Sequence, residues 1–101
     1  MTSKMTSAIS ADHYAFGMCV REFRARRGAS QEALGLRSGL HRNYVGAIER
    51  GEINPTLKTL LVVVRGLETR LSELALLYEE RREEYTARYW RMRGWKEEET
   101  S

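Results

Sequence analysis

From residue 12 onward, apolar side chains recur three and four positions apart, the spacing that gathers them on one face of an α-helix. Phe16, Val20 and Phe23, with Cys19 on the same flank, define the first such face, and Arg21, Glu22, Arg24 and Arg26 point away from it. Asp12 is placed to cap this helix and Gly28 to end it. Ser30 opens a second helix, because its hydroxyl can accept hydrogen bonds from the unpaired amides of a new first turn. Ser38-Gly39 stops that helix within about two turns, Gly39 being free to take the left-handed conformation a helix end often requires. A third helix runs from His41 to Arg50 with Val45 and Ile48 inward, Leu40 anchoring the turn ahead of it and Gly51 closing it. Pro55 restricts Asn54 to extended geometry. Thr56 then caps a fourth helix whose stripe of Leu57, Leu60, Leu61 and Val64 is expected to be buried. The fifth helix starts near Leu71 and continues through Leu74, Leu77 and Tyr78, with nothing to break it before Gly94.

Five helices, one proline and no candidate strand predict an all-α fold. Residues 1–11 are small and polar without a period and read as a flexible N-terminal arm. Residues 12–78 form the domain. Residues 79–101 form a helical extension that mixes both signs of charge with Tyr85, Tyr89, Trp90, Met92 and Trp95.

A chain of 101 residues supplies one ordinary core but not a second, ligand-sensing module. Its net charge of +3 is carried by arginine more than lysine, and it is uneven. Residues 1–78 hold eleven Lys/Arg against seven Asp/Glu, and residues 79–101 hold six against seven. A phosphate-bearing partner therefore suits the first three quarters of the chain. The lone Cys19 excludes an internal disulfide framework and reads as a small apolar helix residue. His13 and His41 are far apart in sequence, no Cys/His group has metal-ligand spacing, and neither a metal nor a cofactor is expected. No apolar run approaches the roughly 18–20 residues of a membrane span, and the start lacks a secretory hydrophobic stretch, so the expected location is the cytoplasm. No nucleophile–base pair, paired-carboxylate cleft or phosphate loop suggests an enzyme. Glu79-Glu80 and Glu83-Glu84 read as a solvated helix face with Arg81 and Arg82 as partners.

Two short helices joined by a glycine-bearing turn is the helix-turn-helix layout. The ordered run Val20-Arg21, Phe23-Arg24, Gly28, Ser30-Gln31, Leu34, Gly39-Leu40, Val45, Ile48-Glu49-Arg50-Gly51, Asn54-Pro55, Leu60-Leu61, Leu67 and Leu71 goes further. Over about half the chain it resembles the Cro/phage-repressor (Xre-type) helix-turn-helix family of DNA-binding transcriptional regulators. The resemblance implies a five-helix lambda-repressor-like domain that binds double-stranded DNA, as a homodimer on a pseudo-palindromic operator.

Physical requirements assign roles beside the resemblance. A recognition helix must offer its outer face to base edges across a groove about 12 Å wide, so only its inner face can be apolar. Val45 and Ile48 fill the inner role, leaving Arg42, Asn43, Gly46 and Ala47 outward to read bases. Arg42 suits guanine and Asn43 adenine, while Ala47 offers a methyl contact. Gln31, at the start of helix two, matches the family residue that contacts a phosphate where the helix dipole favours the same anion. Tyr44 either reaches the DNA backbone with its hydroxyl or packs against helix two. Arg50, Asn54, Lys58 and Thr59 are assigned to phosphate positioning. Arg26 and Arg27 either join them or solvate helix one. The resemblance also implies that Arg24 and Glu49 form a semi-buried ion pair joining helix one to the recognition helix.

Some positions depart from the family pattern. Gly35 stands where alanine is usual, and His41 replaces the serine or threonine that starts the recognition helix, leaving a weaker cap and an imidazole facing phosphate or solvent. Leu36 and Val62 occupy places that are usually polar. The expected dimer seam lies on helix five, where Leu71, Leu74, Tyr78, Tyr85 and Met92 follow a spacing of roughly 3.5 residues. Arg81 and Arg88 interrupt it, and the alternative is that the aromatic tail folds back onto the domain. The functional alternative is an antitoxin or a protein-interaction adaptor that turns the same helices, and the tail, toward a partner such as a toxin.

Overall fold

Four of the five helices begin at a residue whose side chain caps the first turn. In the computed structural model, which describes residues 6–94, five helices follow in order: α1 (Ala11–Arg26), α2 (Gln31–Ser38), α3 (Arg42–Glu49), α4 (Leu57–Gly66) and α5 (Leu71–Met92). Ser30 and Thr56 cap α2 and α4 as expected, accepting from the amides of Ala33 and Thr59. The α1 cap is Ser10 rather than Asp12, its Oγ accepting from His13 N at 3.1 Å. α3 is capped by His41, whose Nδ1 accepts from Asn43 N at 3.0 Å, so the imidazole does the work of the missing hydroxyl. Gly39 ends α2 at φ 73°.

The core draws on all five helices: Ala15, Cys19, Val20 and Phe23 from α1, Leu34 from α2, Val45 and Ile48 from α3, Val63, Val64 and Leu67 from α4 and its end, and Leu74, Leu77 and Tyr85 from α5. Leu34, Leu67 and Leu74 are among the largest fully buried side chains, each worth about 1.5–3 kcal/mol by burial. Burial pushes the Cys19 thiol up to about 12, which suits an inert packing residue. The inward stripe of α4 runs one turn later than the sequence suggested. Val63, Val64 and Leu67 are buried, Leu60 and Leu61 are half-buried, and Leu57 is 64% exposed because it lies in the first turn, ahead of the packed part of the helix.

Residues 7–10, read as part of a flexible arm, are held to the domain. Ile9 N donates to Gly51 O at 2.8 Å, Ala8 is buried, and the Ser7 hydroxyl donates to the Glu52 carboxylate.

The stripe on α5 does not form a free seam. Leu74 and Tyr85 are buried against this chain's own helices, and Tyr78 packs half-buried against the core beside Phe16. Met92 is half-buried, and of the five residues only Leu71 is exposed. The reason is that α5 lies along α1, to which Arg81 is ion-paired, whereas Arg88 pairs with Glu84 on α5 itself. Arg81 donates through Nε and Nη2 to Glu22 at 3.2 and 2.9 Å, Tyr85 OH donates to the same carboxylate at 3.1 Å, and Tyr78 OH and Arg82 Nε both reach Asp12. The Tyr89 ring centroid lies 6.0 Å from that of Tyr14. Tyr85 and Tyr89 of the tail are therefore folded back, Met92 is half-buried, Trp90 is exposed, and Trp95 lies outside the described residues.

The Arg81 hydrogen bond holds the Glu22 carboxyl below its ordinary value near 4.5, helped by Tyr85 and Arg26 and opposed by burial. A depressed carboxylate contributes stability that is complete above the unfolded value and is lost as pH falls through the folded one. Glu22→Gln is expected to remove about 1 kcal/mol at neutral pH and to flatten the loss of stability below pH 4.5. Thermal melts of both proteins across the acid range check this, and parallel melting curves would refute it.

Candidate nucleic-acid interface

The inner face of α3 is fixed by its neighbours. Val45, Ile48 and Glu49 are buried, and Gly17 lets α1 approach so closely that a Cβ there would lie 2.3 Å from Ile48 O. Gly35 does the same for α2, where a Cβ would meet Leu40 O at 2.4 Å. The alanine usual at that position has no room here, so this departure from the family pattern is required by packing.

Glu49, 4% exposed, is the hub. Its carboxylate accepts from Arg24 Nε at 2.6 Å, Arg24 Nη2 at 3.0 Å and Gln31 Nε2 at 2.9 Å, while Arg24 Nη1 donates to Ala29 O. The α1–α3 ion pair is thus present, bidentate, and extended to α2 by Gln31. One of the two Gln31 amide hydrogens is committed to Glu49, and the second remains for another acceptor.

With the scaffold fixed, Arg42 and Asn43 project into solvent from the first turn of α3. Arg42 Nη1 lies 3.8 Å from Glu32 Oε1, a loose pair between side chains 61% and 65% exposed and worth less than about 1 kcal/mol. Ala47 is half-buried on the same helix. Gly46 departs from the expectation. It is buried, because the Arg50 guanidinium and the Gln31 carboxamide cover it at 3.0 and 3.3 Å from where a Cβ would stand. Tyr44 is half-buried and packed against the core.

Among the residues assigned to phosphate, Arg50 is exposed and bound to Glu52 through Nε at 2.9 Å and Nη2 at 3.2 Å. The Glu52 contact holds the Arg50 guanidinium above its ordinary value, and the Arg50 contact, with Ser7, holds the Glu52 carboxyl below its own. Asn54 is exposed, and its Oδ1 accepts from His13 Nε2 at 3.1 Å. Lys58 is exposed on the first turn of α4, and Thr59, half-buried, accepts from the Thr56 hydroxyl at 3.2 Å. Arg27 belongs to neither alternative offered for it: its Nε and Nη2 bind the carbonyls of Leu67 and Glu68, both at 2.6 Å, just past the end of α4, where cations are favoured. Arg26 solvates α1, pairing with Glu22 and lying over the Phe23 ring. Glu52 was missed by sequence reasoning, and His41, read as a weaker cap, supplies an imidazole acceptor instead. An acid two residues after an arginine is a weak signal, and histidine is an uncommon cap.

The sequence model of the helix-turn-helix family matches residues 20–74, more than half of the chain and the stretch that carries α2, α3 and their support. The chain belongs to the helix-turn-helix family. The control protein C.SmaI of Serratia marcescens is 46% identical to this helix-turn-helix protein over 55 residues, which span 54% of this chain and 66% of the relative. The crystal structure of the restriction-modification controller protein C.AhdI from Aeromonas hydrophila superposes with a TM-score of 0.62 at 44% identity, covering 63% of this chain and 97% of that one. The controller protein C.Esp1396I, solved as a tetramer in complex with its natural 35 base-pair operator, gives a TM-score of 0.67 at 27% identity over 70% of this chain and 93% of its own.

Proposed function

We propose that this helix-turn-helix protein is a sequence-specific, double-stranded DNA-binding transcriptional regulator that acts as a homodimer on a pseudo-palindromic operator, as the controller of a restriction–modification system. The observation that carries the reading is the exposure of Arg42 and Asn43 on the first turn of a recognition helix whose other face is clamped by the buried Glu49 network. Base contacts in this motif come from that part of the helix. Arg42 and Asn43 read bases with Ala47 beside them, while Gln31, Asn54, Lys58 and Thr59 hold phosphates. The controller role rests on the likeness to C.SmaI and C.AhdI, and the oligomeric mode on the C.Esp1396I tetramer bound to its operator.

The protein acts without chemistry of its own and works in the cytoplasm. Among the described residues no helix is long and apolar enough to cross a membrane. The antitoxin or adaptor reading has less support, because Tyr85 and Tyr89 of the aromatic tail are buried within this chain.

An operator selected from random duplexes provides the test. Arg42→Ala is expected to lose about 1–3 kcal/mol on that operator and little on scrambled DNA, whereas Gln31→Ala weakens both more evenly. Gel-shift titrations decide, with circular dichroism to separate any loss of fold in Gln31→Ala. Equal losses for Arg42→Ala on the two duplexes would remove the base-reading assignment. In the same titration a duplex with a single half-site should bind far more weakly than one with two half-sites a helical turn apart, and equal binding would remove the homodimer.

A further inference from the structure

We infer that Arg50 reads a base through the space that Gly46 leaves open, with Glu52 as the residue that aims it; the inference rests on the DNA-binding reading above. Gly46 follows Arg42 by four residues and Asn43 by three, so all three share one face of α3. That face has a gap at position 46, and the gap is filled from the end of the helix. Arg50 Nη1 lies 3.0 Å from the point where a residue 46 Cβ would stand.

The way Glu52 holds Arg50 distinguishes base reading from a phosphate contact. Glu52 occupies one edge of the guanidinium, Nε and Nη2, with two hydrogen bonds. Both Nη1 hydrogens and the second Nη2 hydrogen remain, and these form the end-on fork that matches the O6/N7 pair of guanine. A carboxylate beside a phosphate-binding arginine would reduce its pull on the anion, since such a contact depends mainly on charge. Beside a base-reading arginine the carboxylate restricts a long side chain before DNA arrives, which lowers the ordering cost of binding. Glu52 is itself anchored, accepting from Ser7 on a segment pinned by the Ile9 N to Gly51 O bond.

Site selection from random duplexes, run on the full chain and its variants, tests the assignment. The wild type should enrich one guanine per half-site that Arg50→Ala and Arg50→Lys no longer enrich, a loss of preference of roughly 5- to 150-fold at that position with the rest of the site unchanged. Lysine keeps the charge but not the fork. Glu52→Gln and Gly46→Ala should relax the same position while Arg50 is still present, the second by moving the guanidinium aside. Arg50, Glu52 and the side chains over Gly46 lie at the surface or end in flexible groups, and thermal melts confirm that each variant is folded.

An unchanged site for Arg50→Lys, with Arg50→Ala weakening all sequences alike, would make Arg50 a phosphate contact and overturn the inference while leaving the DNA-binding reading intact. A folded wild type that enriches no sequence would overturn that reading itself, and this one with it.

Discussion

Glu49→Ala should lower the unfolding free energy by about 3–5 kcal/mol, a large part of the 5–15 kcal/mol typical of a whole domain. The carboxylate is 3% exposed and accepts three hydrogen bonds, two from Arg24 on α1 and one from Gln31 on α2. Its removal strands a guanidinium whose side chain is only 15% exposed, leaving it the Ala29 carbonyl and whatever water can enter. The stranded charge, more than the lost attraction, makes the change costly. The double variant Arg24→Met/Glu49→Leu, which removes both charges and keeps most of the volume, should therefore be more stable than Glu49→Ala. Urea denaturation of the three proteins measures the difference. If the double variant is the less stable, the stranded-charge account is wrong. DNA binding should fall with Glu49→Ala through loss of the scaffold, and should recover in part wherever the double variant is folded.

Gly17→Ala is the second large effect, and its sign separates local from tertiary physics. By helix propensity alone, alanine within α1 should stabilise by about 1 kcal/mol. The tertiary structure reverses this, because the new Cβ would lie 2.3 Å from Ile48 O and 2.4 Å from Glu49 O, both backbone atoms that cannot rotate away. α1 and α3 would have to separate, at a cost of about 1–3 kcal/mol or more. The melting temperature should fall by several degrees, at roughly 4–8 °C per kcal/mol for a domain of this size. Gly46→Ala is the internal control, since its Cβ meets only the far ends of Arg50 and Gln31, and it should melt at or above the wild type. A Gly17→Ala protein that melts higher than the wild type would show that α1 and α3 are not in this close contact.

Both effects bear on how much of the molecule was readable beforehand. Ser30, Gly39 and Thr56 act at the helix ends where the sequence placed them, since a cap depends on the few residues around it. The Arg24–Glu49 pair was readable only through family resemblance, because nothing local links residues twenty-five apart. Gly17 carried no signal at all: a glycine in a helix looks like a small propensity defect until a second backbone is seen against it.

The candidate site was partly legible. Arg42 and Asn43 stand outward as the helical period requires, and Gly46 does lie on their face. The period could not show that Arg50 returns along the helix to cover Gly46, nor that Glu52 holds it there. Arg27 shows the same limit, since its ligands are carbonyls forty residues away. On α5 the stripe of Leu74, Tyr78 and Tyr85 was a true interface assigned to the wrong partner, because a stripe records that something covers it without naming what.

Helix positions, their ends and the inward face of most of them follow from the sequence alone, because hydrogen bonds four residues apart and one-residue caps are short-range. The covering of each face, and so the burial of Gly46 and the docking of α5 on α1, was decided only in three dimensions. Those outcomes depend on which backbones approach within contact distance, and that is a property of the packed chain rather than of any segment.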